Sequence, residues 1–188
     1  MKTEQEKLAY LNAEINGKNK SLNNVRWAWL WREKKVSEEF IETFIDYVDW
    51  DSICVNQILS EDFIRKYQHY VNWSWVCYKQ KLSESFIREF AHRVDWYYIS
   101  CRHILSESFI REYQDKVDWV FISMRQILSE SFMREFADRL DWASISIYQK
   151  LSESFIREFA DRLDWELIFA YQNISDEFRQ EYNNKLND

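Results

Sequence analysis

An aromatic ring stands four residues ahead of a cation three times at a fixed step: Trp75 with Lys79, Tyr98 with Arg102, and Phe121 with Arg125. Residues four apart share one face of a helix, so each pair sets a ring beside a positive charge. Rings alternating with cations suit stacking on a base, or holding an acidic or phosphorylated segment. Tyr148 and Tyr171 take the cation's position in the next two copies, behind Ser144 and Leu167. The competing reading packs the rings between helices and leaves the cations to solvate an edge. The three histidines, His69, His92 and His103, are scattered. Cys101 and His103 lie two apart on a predicted helix and face different ways, a poor metal pair. The chain has no Gly-rich phosphate loop, nucleophile elbow, HExxH or CxxC. Catalysis is not expected, and no cofactor or metal is called for.

What positions those pairs is a repeat. Trp27, Trp50, Trp73, Trp96, Trp119, Trp142 and Trp165 recur at one spacing, and Ser37, Ser60, Ser83, Ser106, Ser129, Ser152 and Ser175 keep the same step. Two ladders at one period mean that a single supersecondary unit has been copied. In the copy starting at Ser152, the hydroxyl is placed to cap a helix, and Glu153 suits the positive end of its dipole. Phe155, Ile156, Phe159 and Leu163 then form an apolar stripe at helical spacing. Asp164 offers a second cap before Trp165, and Ile168 and Gln172 continue that helix. Each repeat is therefore expected to be a longer helix and a shorter one joined by tight turns. The fold class is all-α: an αα-hairpin solenoid of about seven 23-residue repeats with polar end caps.

Composition agrees. Hydrophobic residues make up 46% of the 188 and aromatics 18%, enough for a core. One Gly and no Pro suits helices with Ser or Asp caps better than a turn-rich β protein. The net charge of −7 lacks the positive excess that duplex nucleic acid requires, and the charges are mixed along the chain. DNA mimicry would need an unbroken acidic stripe, which Arg and Lys interrupt. Cys54, Cys77 and Cys101 are an odd number without a paired framework, which reads as reduced thiols in a cytoplasmic setting. No signal core stands at the N-terminus, and no apolar run approaches the roughly 20 residues of a membrane span.

Other ladders read as structural. Cys54, Cys77, Ser100, Ser123 and Ser146, followed by Phe169, are small residues that let helices approach closely. Gln57, Gln80, Gln126, Gln149 and Gln172, with His103 in the same series, are expected to bond backbone in the adjoining turn, since a buried unpaired amide is costly. The Trp ladder is expected to be core. Glu112–Lys116, Glu135–Arg139, Glu158–Arg162, Arg134–Asp138 and Arg157–Asp161 are expected i,i+4 pairs on a solvated face. Residues 1–24 fall out of register, and Leu8, Leu11 and Ile15 suggest a capping helix stopped near Gly17. The array proper spans 25–174. Residues 175–188 form a capping helix in which Phe178, Tyr182 and Leu186 keep the stripe and Arg179 makes the outer face polar.

The string LSESFIREFADRLDW, with IS and YQK after it, recurs from Leu128 and again from Leu151 with small changes. It resembles the 23-residue helical-repeat proteins of large DNA viruses and bacteriophages, over about Trp27 to Phe178. The first copy departs from the pattern, with Arg26 at the cap and Lys34 in the Gln series. The resemblance implies a protein acting inside a host cell and carries no catalytic residues. The expected activity is non-catalytic: a scaffold or inhibitor binding a host protein or peptide along the short-helix face at Trp75, Lys79, Tyr98, Arg102, Phe121, Arg125, Tyr148 and Tyr171. Two alternatives are sequestration of a nucleotide-like ligand on the same stripe and a structural, self-assembling array. Homo-oligomers fit the last of these.

Overall fold

The protein is described here by a computed structural model covering residues 2–186, with side chains through Tyr182. Among the described residues there are helices and turns and no strand. The chain divides into two compact units, Met1–Asp95 and Trp96–Asp188. The first holds α1 (Glu4–Ile15), a 3-10 turn (Leu22–Asn24), α2 (Trp27–Glu33), α3 (Glu38–Thr43), a second 3-10 turn (Ile45–Tyr47), α4 (Trp50–Asn56), α5 (Glu61–Lys66), α6 (Trp73–Lys79) and α7 (Glu84–Glu89). The second holds α8 (Trp96–Arg102), α9 (Glu107–Glu112), α10 (Trp119–Arg125), α11 (Glu130–Glu135), α12 (Trp142–Tyr148), α13 (Glu153–Glu158), α14 (Trp165–Tyr171) and α15 (Asp176–Leu186). Each unit is a stack of helical hairpins. The Trp helices lie side by side in chain order, α2, α4 and α6 in one unit and α8, α10, α12 and α14 in the other.

The caps sit where their residue types require. In every copy the Ser hydroxyl accepts the N–H three residues on, as Ser152 does from Phe155 at 3.2 Å. Asp49, Asn72, Asp118, Asp141 and Asp164 cap their Trp helices in the same manner. Arg26 makes no side-chain cap bond.

The relative lengths of the two helices are the reverse of the sequence expectation. The Ser-capped helix has 6 residues and the Trp helix 7. At Phe159 the backbone leaves helical geometry (φ −112°, ψ 25°), and a separate turn follows, with Arg162 and Leu163 N–H both donating to the Phe159 carbonyl. The break lets a whole hairpin close within its period while Leu163 stays buried. It also removes the expected i,i+4 geometry for Glu158–Arg162 and Arg134–Asp138, which straddle such a break. The arginines reach across repeats instead: Arg134 meets Glu158 at 2.8 Å and Arg162 meets Asp138 at 2.7 Å. Within the helix, the pair formed is Glu130–Arg134 at 3.4 Å.

The core is built from Phe rather than Trp. Phe40, Phe86, Phe109, Phe132, Phe155 and Phe178 are buried, each beside a buried aliphatic residue on its own or a neighbouring helix. The seven ladder tryptophans are half-buried. Each lays one face on an aromatic ring of the following Ser-capped segment, Trp142 on Phe159 at 4.8 Å and Trp165 on Tyr182 at 4.2 Å. The fully enclosed indole is that of Trp31.

At the start of the chain, Thr3 and Glu6 form a reciprocal capping box on α1. The left-handed residue that ends α1 is Asn16 (φ 50°), one position before the expected Gly17. At the other end Phe178 and Tyr182 are buried, and Arg179 Nη2 donates to the Phe169 carbonyl. Leu186, expected to extend that stripe, lies outside the described side chains.

Candidate functional site

The face made by the Trp helices is held rigid by the polar ladders. Gln149 is buried; its Nε2 donates to the carbonyls of Ser123 (2.9 Å) and Gln126 (2.7 Å), and its Oε1 accepts Leu128 N–H at 3.1 Å. Both carbonyls belong to the end of the preceding Trp helix, where helix geometry leaves acceptors without partners. Gln57, Gln80 and Gln172 repeat the pattern. The expected backbone role of the Gln ladder is thus met: in these four, both amide hydrogens and the amide oxygen bond to backbone.

The small-residue ladder has a second role beyond close approach. Ser123 Oγ donates to Trp119 O at 2.7 Å and accepts Asp141 N–H at 3.0 Å, so it ties one Trp helix to the cap of the next. Ser100 and Ser146 do likewise, and Cys77 Sγ accepts Asp95 N–H at 3.3 Å. Burial drives the Cys54 thiol up to about 11 and the Cys77 thiol up to about 12. Both stay protonated at neutral pH and are no nucleophiles.

Trp73, Trp96, Trp119 and Trp142 each have a cation from the turn after the break over the ring: Arg93, Lys116, Arg139 and Arg162. Arg139 lies 5.9 Å from the Trp119 ring and Arg162 5.8 Å from that of Trp142. The Gln114 carbonyl accepts both Trp119 Nε1 (2.9 Å) and Arg139 Nη1 (2.8 Å), and Ala137 O serves Trp142 and Arg162 in the same way. These cations are committed to structure.

The residues proposed from sequence for binding fall into two sets. Trp75 and Lys79 lie in the first unit, both exposed. Lys79 Nζ sits over Tyr78, 4.7 Å from its ring. Tyr98, Arg102, Phe121, Arg125, Tyr148 and Tyr171 lie in the second unit. Tyr98 and Phe121 are half-buried, and Phe121 takes the edge of Tyr97 at 5.2 Å. Arg102 and Arg125 are exposed, as are Tyr148 (55%) and Tyr171 (61%).

Sequence reasoning missed the strongest feature of this face. Ile104 and Ile127 lie two residues past the ends of α8 and α10 and are 90% and 93% exposed. Tyr97 and Val120, in the first turn of the same two helices, are exposed as well. The signal was present, because the eighth position after each ladder Trp reads Lys35, Ile58, Lys81, Ile104, Ile127, Lys150 and Asn173. A position that accepts Lys must face water, so the Ile that replaces it is exposed.

Among the described residues, no three His, Cys, Asp or Glu side chains converge on a point that would hold a metal ion. Among the described residues, no helix is long and apolar enough to cross a membrane. No family model, curated protein or solved structure matches the chain. The fold and its tryptophan-spaced repeat define the class, a helical-hairpin repeat protein.

Proposed function

We propose that this is a non-catalytic interaction protein, a scaffold or inhibitor whose Trp-helix face in the second unit binds a protein or peptide. One observation carries the reading: large apolar side chains are exposed in repeat after repeat of this unit, Tyr97 and Val120 at one repeat position, Ile104 and Ile127 at a second, Tyr148 and Tyr171 at a third. Isolated apolar side chains on a surface are ordinary, but exposure that recurs at the same repeat positions in successive copies favours an interaction face. Arg102 and Arg125 are exposed at the ends of α8 and α10, and aromatic residues with Arg are the types enriched where binding energy concentrates. The motif's likeness to viral and phage repeats supports a host protein as the partner, met inside the host cell.

The test is capture of a partner by the full chain, compared with Ile104→Ser/Ile127→Ser and with Tyr148→Ser/Tyr171→Ser. All of these side chains are exposed, so the variants should melt near wild type. The reading expects a partner retained by wild type and lost by both variants. Undiminished capture by both would place binding elsewhere.

A further inference from the structure

We infer that the first unit carries a separate site for a small anionic ligand with a planar ring, of the nucleoside monophosphate class, at the cleft between the end of α1 and the start of α2. The cleft has a volume of about 330 Å³, within the range of small-molecule sites. Its floor is apolar, with Ile15, Val25 and buried Leu30. Lys18 and Arg26 stand on its rim, both exposed. Trp29, partly exposed, supplies an indole wall, and Lys34 Nζ is 5.6 Å from its ring.

The local charge is unlike the rest of the chain. From Lys18 to Lys35 the cations are Lys18, Lys20, Arg26, Arg32, Lys34 and Lys35, and the one acid is Glu33, which pairs with Arg32 at 2.8 Å. Of these cations, Lys18 and Arg26 line the cleft, and no acidic residue does. Arg26 is the telling residue. It occupies the place where Asp49, Asn72, Asp118, Asp141 and Asp164 cap their helices, and it caps nothing. A position that gives up its local stabilising residue is where function is expected. Two cations on one rim suit a phosphate, and an indole beside them suits a base.

The wall is preorganised. Asn12 clasps Asn19 through Nδ2 to the Asn19 carbonyl (2.9 Å) and Oδ1 from the Asn19 N–H (2.8 Å). Gly17, the one glycine of the chain, lines the cleft where the loop closes on this clasp. A Cβ there would come within 3.0 Å of Asn19 Nδ2 and 3.1 Å of Ile15 Cγ1. A side chain there would press on the clasp, so Asn19 or Ile15 would have to shift by a few tenths of an ångström.

The experiment is calorimetric titration of the full chain with AMP, adenosine, inorganic phosphate and tripolyphosphate. AMP should bind tightest, with adenosine and phosphate each weaker by about tenfold or more, the loss of one set of charged or stacked contacts. Arg26→Asp restores the usual cap, so it should melt higher than wild type while weakening AMP by about tenfold or more. Lys18→Ala should weaken AMP at unchanged melting temperature. An AMP Kd above about 1 mM in wild type, tripolyphosphate binding as tightly as AMP, or unaltered AMP affinity in Arg26→Asp would each overturn the inference. Binding at the second unit's Trp-helix face is unaffected by any of these outcomes.

Discussion

Gln149 donates to the Gln126 carbonyl at 2.7 Å, and Gln172 donates to the Gln149 carbonyl at 2.8 Å, so one side chain per repeat is stitched to the backbone of the repeat before it. Replacing Gln149 by Leu leaves two buried carbonyls and the Leu128 N–H without partners. With about 1–3 kcal/mol for each abandoned group and partial relaxation, the loss should be about 3 kcal/mol. Urea unfolding followed by circular dichroism checks this, and a loss below about 0.5 kcal/mol would mean that the amide is not the staple.

Ser123 and Cys77 hold equivalent places and accept the same kind of N–H, at 3.0 and 3.3 Å. Ser123→Cys should therefore cost less than about 1 kcal/mol, since a weak acceptor of similar size remains. Ser123→Val removes the acceptor from Asp141 N–H and should cost about 1–3 kcal/mol. Equal stability of the two variants in denaturant would show that only volume matters at this position.

The Cys54 and Cys77 thiols are held up to about 11 and about 12 by burial. Both should resist iodoacetamide at pH 8 in the folded chain and react once it is unfolded in urea. Peptide mapping by mass spectrometry reads each site. Alkylation of Cys77 in the folded protein at the rate of a free thiol would contradict its burial.

Glu153 is held below the ordinary carboxylate range, first by the backbone N–H of Ser175, which it accepts at 2.7 Å. Glu89 is lowered chiefly by its bonds to Arg65. A lowered folded value means that the folded state binds the proton less readily than the unfolded chain. The stabilisation is therefore present above the unfolded value near 4.3 and disappears as pH falls through the folded values. The melting temperature should be level from pH 7 to about 5 and fall below about 4. Glu153→Gln should flatten part of that fall, and an unchanged acid limb in that variant would remove Glu153 from the account.

Much of the fold was legible because its signals are local. The Ser that caps a helix and the residue it caps are three apart, and Phe155 and Ile156 declare an apolar stripe within one turn. The period itself follows from comparing copies. The inverted helix lengths were not legible, because Phe159 is as compatible with a continuing helix as with the break that the structure shows. The candidate site was read in part. The spacing of Tyr98 and Arg102 put them on one helix side, but half-buried Tyr98 and fully presented Ile104 depend on what lies against each, and nothing in one repeat says so.

By itself, then, the chain's order of residues determined an all-helical repeat, its caps, its period and the identity of its buried stripe. Those properties arise from contacts within about one hairpin. Tertiary structure alone decided which carbonyls Gln149 would satisfy, that Arg162 would reach Asp138 rather than Glu158, that the Trp73, Trp96, Trp119 and Trp142 indoles would each meet a cation, and that Lys18, Arg26 and Trp29 would line one cleft. The physical reason is distance along the chain. Across repeats the partners stand more than 20 residues apart, and only the stacking of one hairpin on the next brings them within bonding range. Around the cleft, it is the fold of the loop from Asn16 back onto α2 that does so.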